Sequence, residues 1–105
     1  MADYTSDIKK YTNYVDNAAV DGIVKHLGIA LQSRDASLVA CQDPAELERV
    51  RNSFLKNKLS LTDSDSDLDT AIHAVCERMK DDVTKSRVTF YYLLAEKYGK
   101  LSMFK

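Results

Sequence analysis

The sequence predicts an all-α fold, a single compact domain spanning residues 1–105 with about five helices and its C-terminal helix at the centre. Three observations lead there. Only three glycines and one proline interrupt 105 residues, too few for a turn-rich β-fold. Apolar residues recur at intervals of three and four along most of the chain. The densest apolar stretch, Arg87 to Tyr98, is also the most aromatic. At about 100° per residue, Val88, Phe90, Tyr91, Tyr92, Leu94, Ala95 and Tyr98 cover an arc of roughly 200°. A surface helix needs much less, so this one is expected to touch several neighbours. Thr89, Glu96 and Lys97 fill its remaining face, with Leu93 stranded among them.

Five helices are predicted near 4–15, 17–27, 44–58, 66–80 and 86–98, with a short helical turn around 36–41. In the first, Tyr4, Ile8, Tyr11 and Val15 follow each other at four, three and four. Asp16 is a natural N-cap for the second, and Val15 and Val20 are placed as a hydrophobic staple across it. That helix carries Val20, Ile23, Val24 and Leu27, ends near Gly28, and bears the cost of Gly22 in its interior, about 1 kcal/mol relative to alanine. The first two helices running on as one bent helix is the competing arrangement.

The third helix has the clearest start. Asp43 can accept free amides, Pro44 suits the first helical position, and Glu46 completes a capping box. Leu47, Val50 and Phe54 then face inward, Leu55 lies at the margin, and Glu46–Arg49 and Glu48–Arg51 are spaced to pair. The fourth helix, with Leu68, Ile72, Val75 and Met79 as its core face, follows a run of acidic and hydroxyl residues suited to capping. Thr84 or Ser86 would cap the fifth, and Gly99 would end it.

Composition bounds the function from outside. The chain is 45% hydrophobic and 30% charged with a net charge of −1, which is globular and not the basic balance of a typical nucleic-acid binder. No run reaches the ~20 apolar residues of a membrane span, and the acidic, polar opening is unlike a secretory signal, so the expected compartment is the cytoplasm. There, Cys41 and Cys76, far apart in the sequence, would be reduced thiols. Charge is segregated: seven acids against two bases in residues 61–82, and five bases against one acid in residues 83–105.

Several groups invite a chemical reading. Asp63, Asp65, Asp67 and Asp69 suggest calcium, but an EF-hand beginning at Asp63 would need glycine and glutamate where Leu68 and Ala74 stand. His73 and Cys76, three apart on one helix, could begin a zinc site only with His26 and Cys41 from another region. As an enzyme, the chain would use the same pair as nucleophile and base, although a cysteine on an apolar face disfavours its thiolate. No phosphate-binding loop, nucleophile elbow or dinucleotide fingerprint is present, so no catalytic residue, cofactor, metal or small-molecule ligand is assigned. A nucleic-acid interface would use the basic 49–58 helix, with Arg49, Arg51, Lys56 and Lys58 joined by Lys85 and Arg87 on one surface; Glu46 and Glu48 on that helix and the neutral overall charge rank this second. Six tyrosines without a tryptophan leave a protein interface as the leading reading, through a partner or a second copy, with Tyr91, Tyr92 and Tyr98 as its candidate residues. Complete burial of the tyrosine rings would count against it.

Residues 33–59, SRDASLVACQDPAELERVRNSFLKNKL, and residues 85–101, KSRVTFYYLLAEKYGKL, resemble a small bacterial all-helical family classed only as a domain of unknown function. The similarity extends to the opening ADYTSDIKKYTNYV. The resemblance implies a compact helical, cytosolic bacterial protein, and it carries no activity, cofactor or site residue with it.

Overall fold

The computed structural model describes residues 4–28, 38–81 and 85–104. Its helices are α1 (Tyr4–Ile8), α2 (Asn17–Leu27), α3 (Pro44–Arg49), α4 (Asp65–Arg78) and α5 (Arg87–Lys97). A π-helical segment, Val50–Lys58, continues directly from α3, and a 3-10 turn, Leu101–Phe104, follows α5. The fold is all-α; among the described residues the only extended pairing is an isolated antiparallel bridge between Leu38 and Ser86.

Helix α5 is the hub. It packs against α1, α2, α4 and the 3-10 turn, and every residue from Arg87 to Ala95 is buried. Thr89 and Leu93, on the face opposite the apolar arc, are therefore covered as well, while Lys97 stays exposed. Thr89 meets this burial by donating its hydroxyl to the Asp7 carboxylate on α1.

Helix α1 ends well before the predicted residue 15. Tyr11 and Thr12 still donate to the Ile8 carbonyl, but the chain then leaves the helix. The Thr12 hydroxyl turns instead to Glu96 and to the Tyr14 carbonyl, each at 3.3 Å, a local competition that disfavours helix continuation. The Asp16 amide is held by the Tyr92 hydroxyl at 2.9 Å, and the Asp16 carboxylate caps α2 through the amides of Ala18 and Ala19. Two separate helices result, as the Asp16 cap predicts. In α2, Gly22 has a specific packing reason: a Cβ built there would stand 1.7 Å from the carbonyl oxygen of Phe104. The 3-10 turn crosses the helix at the only width a glycine allows.

Asp43 caps α3 through the Ala45 amide at 3.0 Å, and Pro44 opens it. Glu46 does not return to complete a capping box. Its carboxylate is buried and binds Arg87 of α5 and, at 2.8 Å, Arg49. After Arg49 the helix widens, and Leu59 donates to the Phe54 carbonyl, five residues back, at 2.9 Å. This winding explains why Leu55 is wholly buried although α-helical geometry leaves it at the margin. At about 100° per residue, Val50, Phe54, Leu55 and Leu59 spread over about 180°. With a turn of roughly 4.4 residues they gather within about 80°, one face that the core can accept. Weak α-formers at Asn52, Ser53 and Asn57 make the wider winding less costly.

Ser64 caps α4 through the Asp67 amide, and Leu68, Ile72, Val75 and Met79 are buried as predicted. The helical turn expected around 36–41 is not formed in its described part: Leu38 makes the bridge to Ser86, Val39 and Ala40 have no regular structure and Cys41–Gln42 is a turn, while residues 36 and 37 lie outside the described residues. The expectation of reduced thiols is also overturned. Cys41 and Cys76 form a disulfide that ties this turn to α4 across 35 positions of sequence. Among the described residues, no helix is long and apolar enough to cross a membrane.

Candidate functional site

Two helix faces with the same spacing meet beside the disulfide. On α3 and its continuation, Pro44, Leu47, Glu48 and Arg51 follow at successive intervals of three, one and three. On α4, Asp69, Ile72, His73 and Cys76 do the same. Together with Cys41 and Gln42, all of these but Cys76 line a groove of about 420 Å³, and Cys76 is tied to its wall through Cys41. Leu47 and Ile72, both buried, form its floor with the ring of Pro44, while Glu48, Gln42 and His73 stand exposed at its rim. A smaller cavity of about 250 Å³ is lined by Val39, Ala40, Cys41, Gln42 and Lys85. Cys41 and Gln42 line both.

The groove is held from below and from the side. Arg51 donates to both carboxylate oxygens of Asp69, at 3.0 and 3.2 Å, and approaches Asp65 at 3.8 Å. This bond to Asp69 raises the Arg51 pKa against the smaller effect of burial. Asp65 in turn accepts from Lys56, which holds its carboxyl below the usual carboxylate range, with Arg51 adding to the effect. Behind the groove, Arg87 donates to Glu46, to the Leu38 carbonyl at 3.0 Å and to the Tyr91 hydroxyl at 3.1 Å. Burial alone would lower the Arg87 pKa, but Tyr91 and Glu46 outweigh it and raise it. The Tyr91 phenol is pushed up, mainly by its own burial.

The candidate interface residues fall in different places. Tyr92 is wholly buried and Tyr91 is 6% exposed, its ring stacked on Phe54 at 4.0 Å. Neither offers a surface, so the over-wide apolar arc of α5 is filled by the fold itself. Tyr98 is half-buried, and its phenol is raised by burial and by the nearby Asp63 and Asp67. Among the described residues, Tyr14 and Met103 are the large apolar side chains most open to solvent.

The basic residues of the 49–58 segment each have a partner within the fold, and Arg51 and Lys56 share Asp65. Arg49 binds Glu46, Arg51 binds Asp69, Lys56 binds Asp65, and Lys58 lies over the Phe104 ring at 5.5 Å. Arg87, expected to join them, is buried. The aspartate run serves as helix start and ion-pair partner to this segment. His73 does lie in the groove, but Cys76 is bonded to Cys41, so the thiol that a His73–Cys76 nucleophile or a zinc site would use is absent while the disulfide stands. The sequence signal missed was the equal spacing of the two groove walls.

The family model described as Protein of unknown function (DUF2853) matches residues 3–102, nearly the whole chain, and the protein belongs to that family. No curated protein matches the chain.

Proposed function

We propose that this member of the family is a non-catalytic binding module that receives a short segment of another protein in the groove between α3 and α4. One observation carries the reading: an apolar-floored hollow with polar side chains at its rim. A volume of about 420 Å³ falls within the range of specific binding sites. Leu47, Ile72 and Pro44 would take an apolar side chain, and Glu48, Gln42 and His73 would meet the polar backbone on either side of it. The walls are also preorganised, by the disulfide, by Arg51–Asp69 and by the Arg87–Glu46 pair behind them, which lowers the ordering cost of binding. Self-association through α5 loses its support, because Tyr91 and Tyr92 are interior.

Site-specific photo-crosslinking tests this in living cells. A benzophenone side chain at position 48 or 73 is expected to trap a defined protein partner, and the exposed control position 25 is not. Leu47→Glu, which charges the floor, should abolish the adduct. Equal adducts at all three positions, or none at 48 and 73, would remove the groove as the binding site.

A further inference from the structure

We infer that the Cys41–Cys76 disulfide is a reversible redox site that sets the shape of the groove, an inference that rests on the groove as the binding site. The bond sits at the edge of the fold. Both cysteines are half-buried, neither belongs to the fully buried core, and Cys41 lines both cavities, which leaves the residue open to the approach of a small thiol.

The core does not depend on the bond. Helix α4 is anchored by Leu68, Ile72, Val75 and Met79, and the chain on the other side by Val39 and by backbone pairing. The Val39 amide donates to the Lys85 carbonyl at 2.8 Å, and Arg87 holds the Leu38 carbonyl. Downstream, Asp43 is fixed at the start of α3. Cys41 and Gln42 lie between these two anchors, so the disulfide is what ties this short span to α4. Breaking it frees the wall shared by the two cavities and leaves the helices in place.

The exchange balances without any further oxidant. A thiolate of a dithiol reductant attacks Sγ of Cys41; the Sγ–Sγ bond breaks and Cys76 leaves as a thiolate that takes up a proton. The reductant's second thiolate then attacks its own sulfur in the mixed disulfide and releases Cys41, which is protonated. The protein gains two electrons and two protons, and the dithiol becomes a disulfide. Oxidised glutathione reverses the exchange. A cytoplasmic location, which the composition leads one to expect, would keep the bond in contact with the thiol pool, where disulfides are characteristically transient and sensory.

The test uses the whole chain, dithiothreitol and glutathione buffers. Alkylation and intact mass follow the thiols, amide exchange follows the backbone, and methyl NMR follows the floor. Expected is full reduction while the α5 amides stay protected. Exchange at residues 40–43 should rise about tenfold or more, and the methyl signals of Leu47 and Ile72 should shift while those of Leu93 and Leu94 do not. Oxidised glutathione should restore the starting spectrum. Thiols that appear only when α5 itself exchanges would make the bond a permanent staple and overturn the inference. So would reduction that leaves residues 40–43 and the floor methyls unchanged. The double variant Cys41→Ser, Cys76→Ser should fold and reproduce the reduced spectrum; failure to fold overturns the inference too. None of these readouts needs a partner, so a failed crosslink at the groove and a failed redox response remain distinct.

Discussion

Arg87, at the start of the central helix, and Glu46, in the first turn of α3, are ion-paired where solvent scarcely reaches either of them. The guanidinium also serves the Leu38 carbonyl and the Tyr91 hydroxyl, and the carboxylate also serves Arg49. One pair thus connects the span before the disulfide, the back of the groove and the hub of the core. Burying two charges is costly, and the arrangement holds because each is met by more than one partner.

Removing one side of that pair leaves the other's charge buried without its principal counter-charge. Glu46→Ala is expected to cost about 3–5 kcal/mol, measured by urea unfolding. Arg87→Met should cost a similar amount. The double variant Glu46→Leu, Arg87→Met should recover much of the loss, because it removes both charges together. Additive losses in the double variant would show that the two residues act independently.

Leu55 tests the π-helical winding. If the segment were an ordinary α-helix, this side chain would sit at the edge of the apolar face and its truncation would be mild. Wholly buried, as it is, Leu55→Ala should cost about 2–5 kcal/mol. The neighbouring exposed Asn57→Ala should stay within about 0.5 kcal/mol. A small loss at Leu55 in thermal or denaturant unfolding would argue for α-helical winding in solution.

These two cases mark what periodicity can and cannot reveal. The central role of α5, the Asp16 and Asp43 caps and the face of α4 all follow from local spacing, and each is legible in the residues themselves. The widening after Arg49 is not, because a helical wheel assumes its own period before any residue is placed. Glu46 reads as a capping-box residue, since nothing nearby in sequence announces Arg87, 41 positions away. The groove fails to announce itself for the same reason. Each wall has a visible spacing, but their meeting is a tertiary contact that no local spacing announces, and the two cysteines beside it carry no motif that declares their pairing.

Gly22 separates packing from propensity. In an isolated helix Gly→Ala gains about 1 kcal/mol. Here the added methyl would collide with the Phe104 carbonyl, a backbone atom that can yield only by moving the 3-10 turn. Gly22→Ala is therefore expected to destabilise by about 1–3 kcal/mol, as overpacking does. The Phe104 ring should also leave its stack on Phe54, now at 6.0 Å, which ring-proton NMR shifts would detect. A stabilised variant with the stack intact would show that the turn does not close on α2.

His26 is expected to give the fold a pH dependence whose sign follows from its surroundings. Its ring lies 6.2 Å from both Phe54 and Phe104; the residue is exposed overall, but partial desolvation of the ring, followed by the charge of Lys58, lowers its pKa from 6.5. The folded state therefore binds the proton more weakly than the unfolded chain does. Below the folded pKa both states carry the proton, and the full penalty falls on folding. As pH rises from the folded pKa to about 6.5 the penalty fades, and above that it is gone. Stability should climb with pH through this window, and His26→Gln should remove that part of the slope. Lys58→Gln should move the His26 titration upward toward 6.5, read from its imidazole proton shifts. A His26 titration at or above 6.5 in the unaltered protein would mean that the ring is not held beside Phe54, Phe104 and Lys58 in solution.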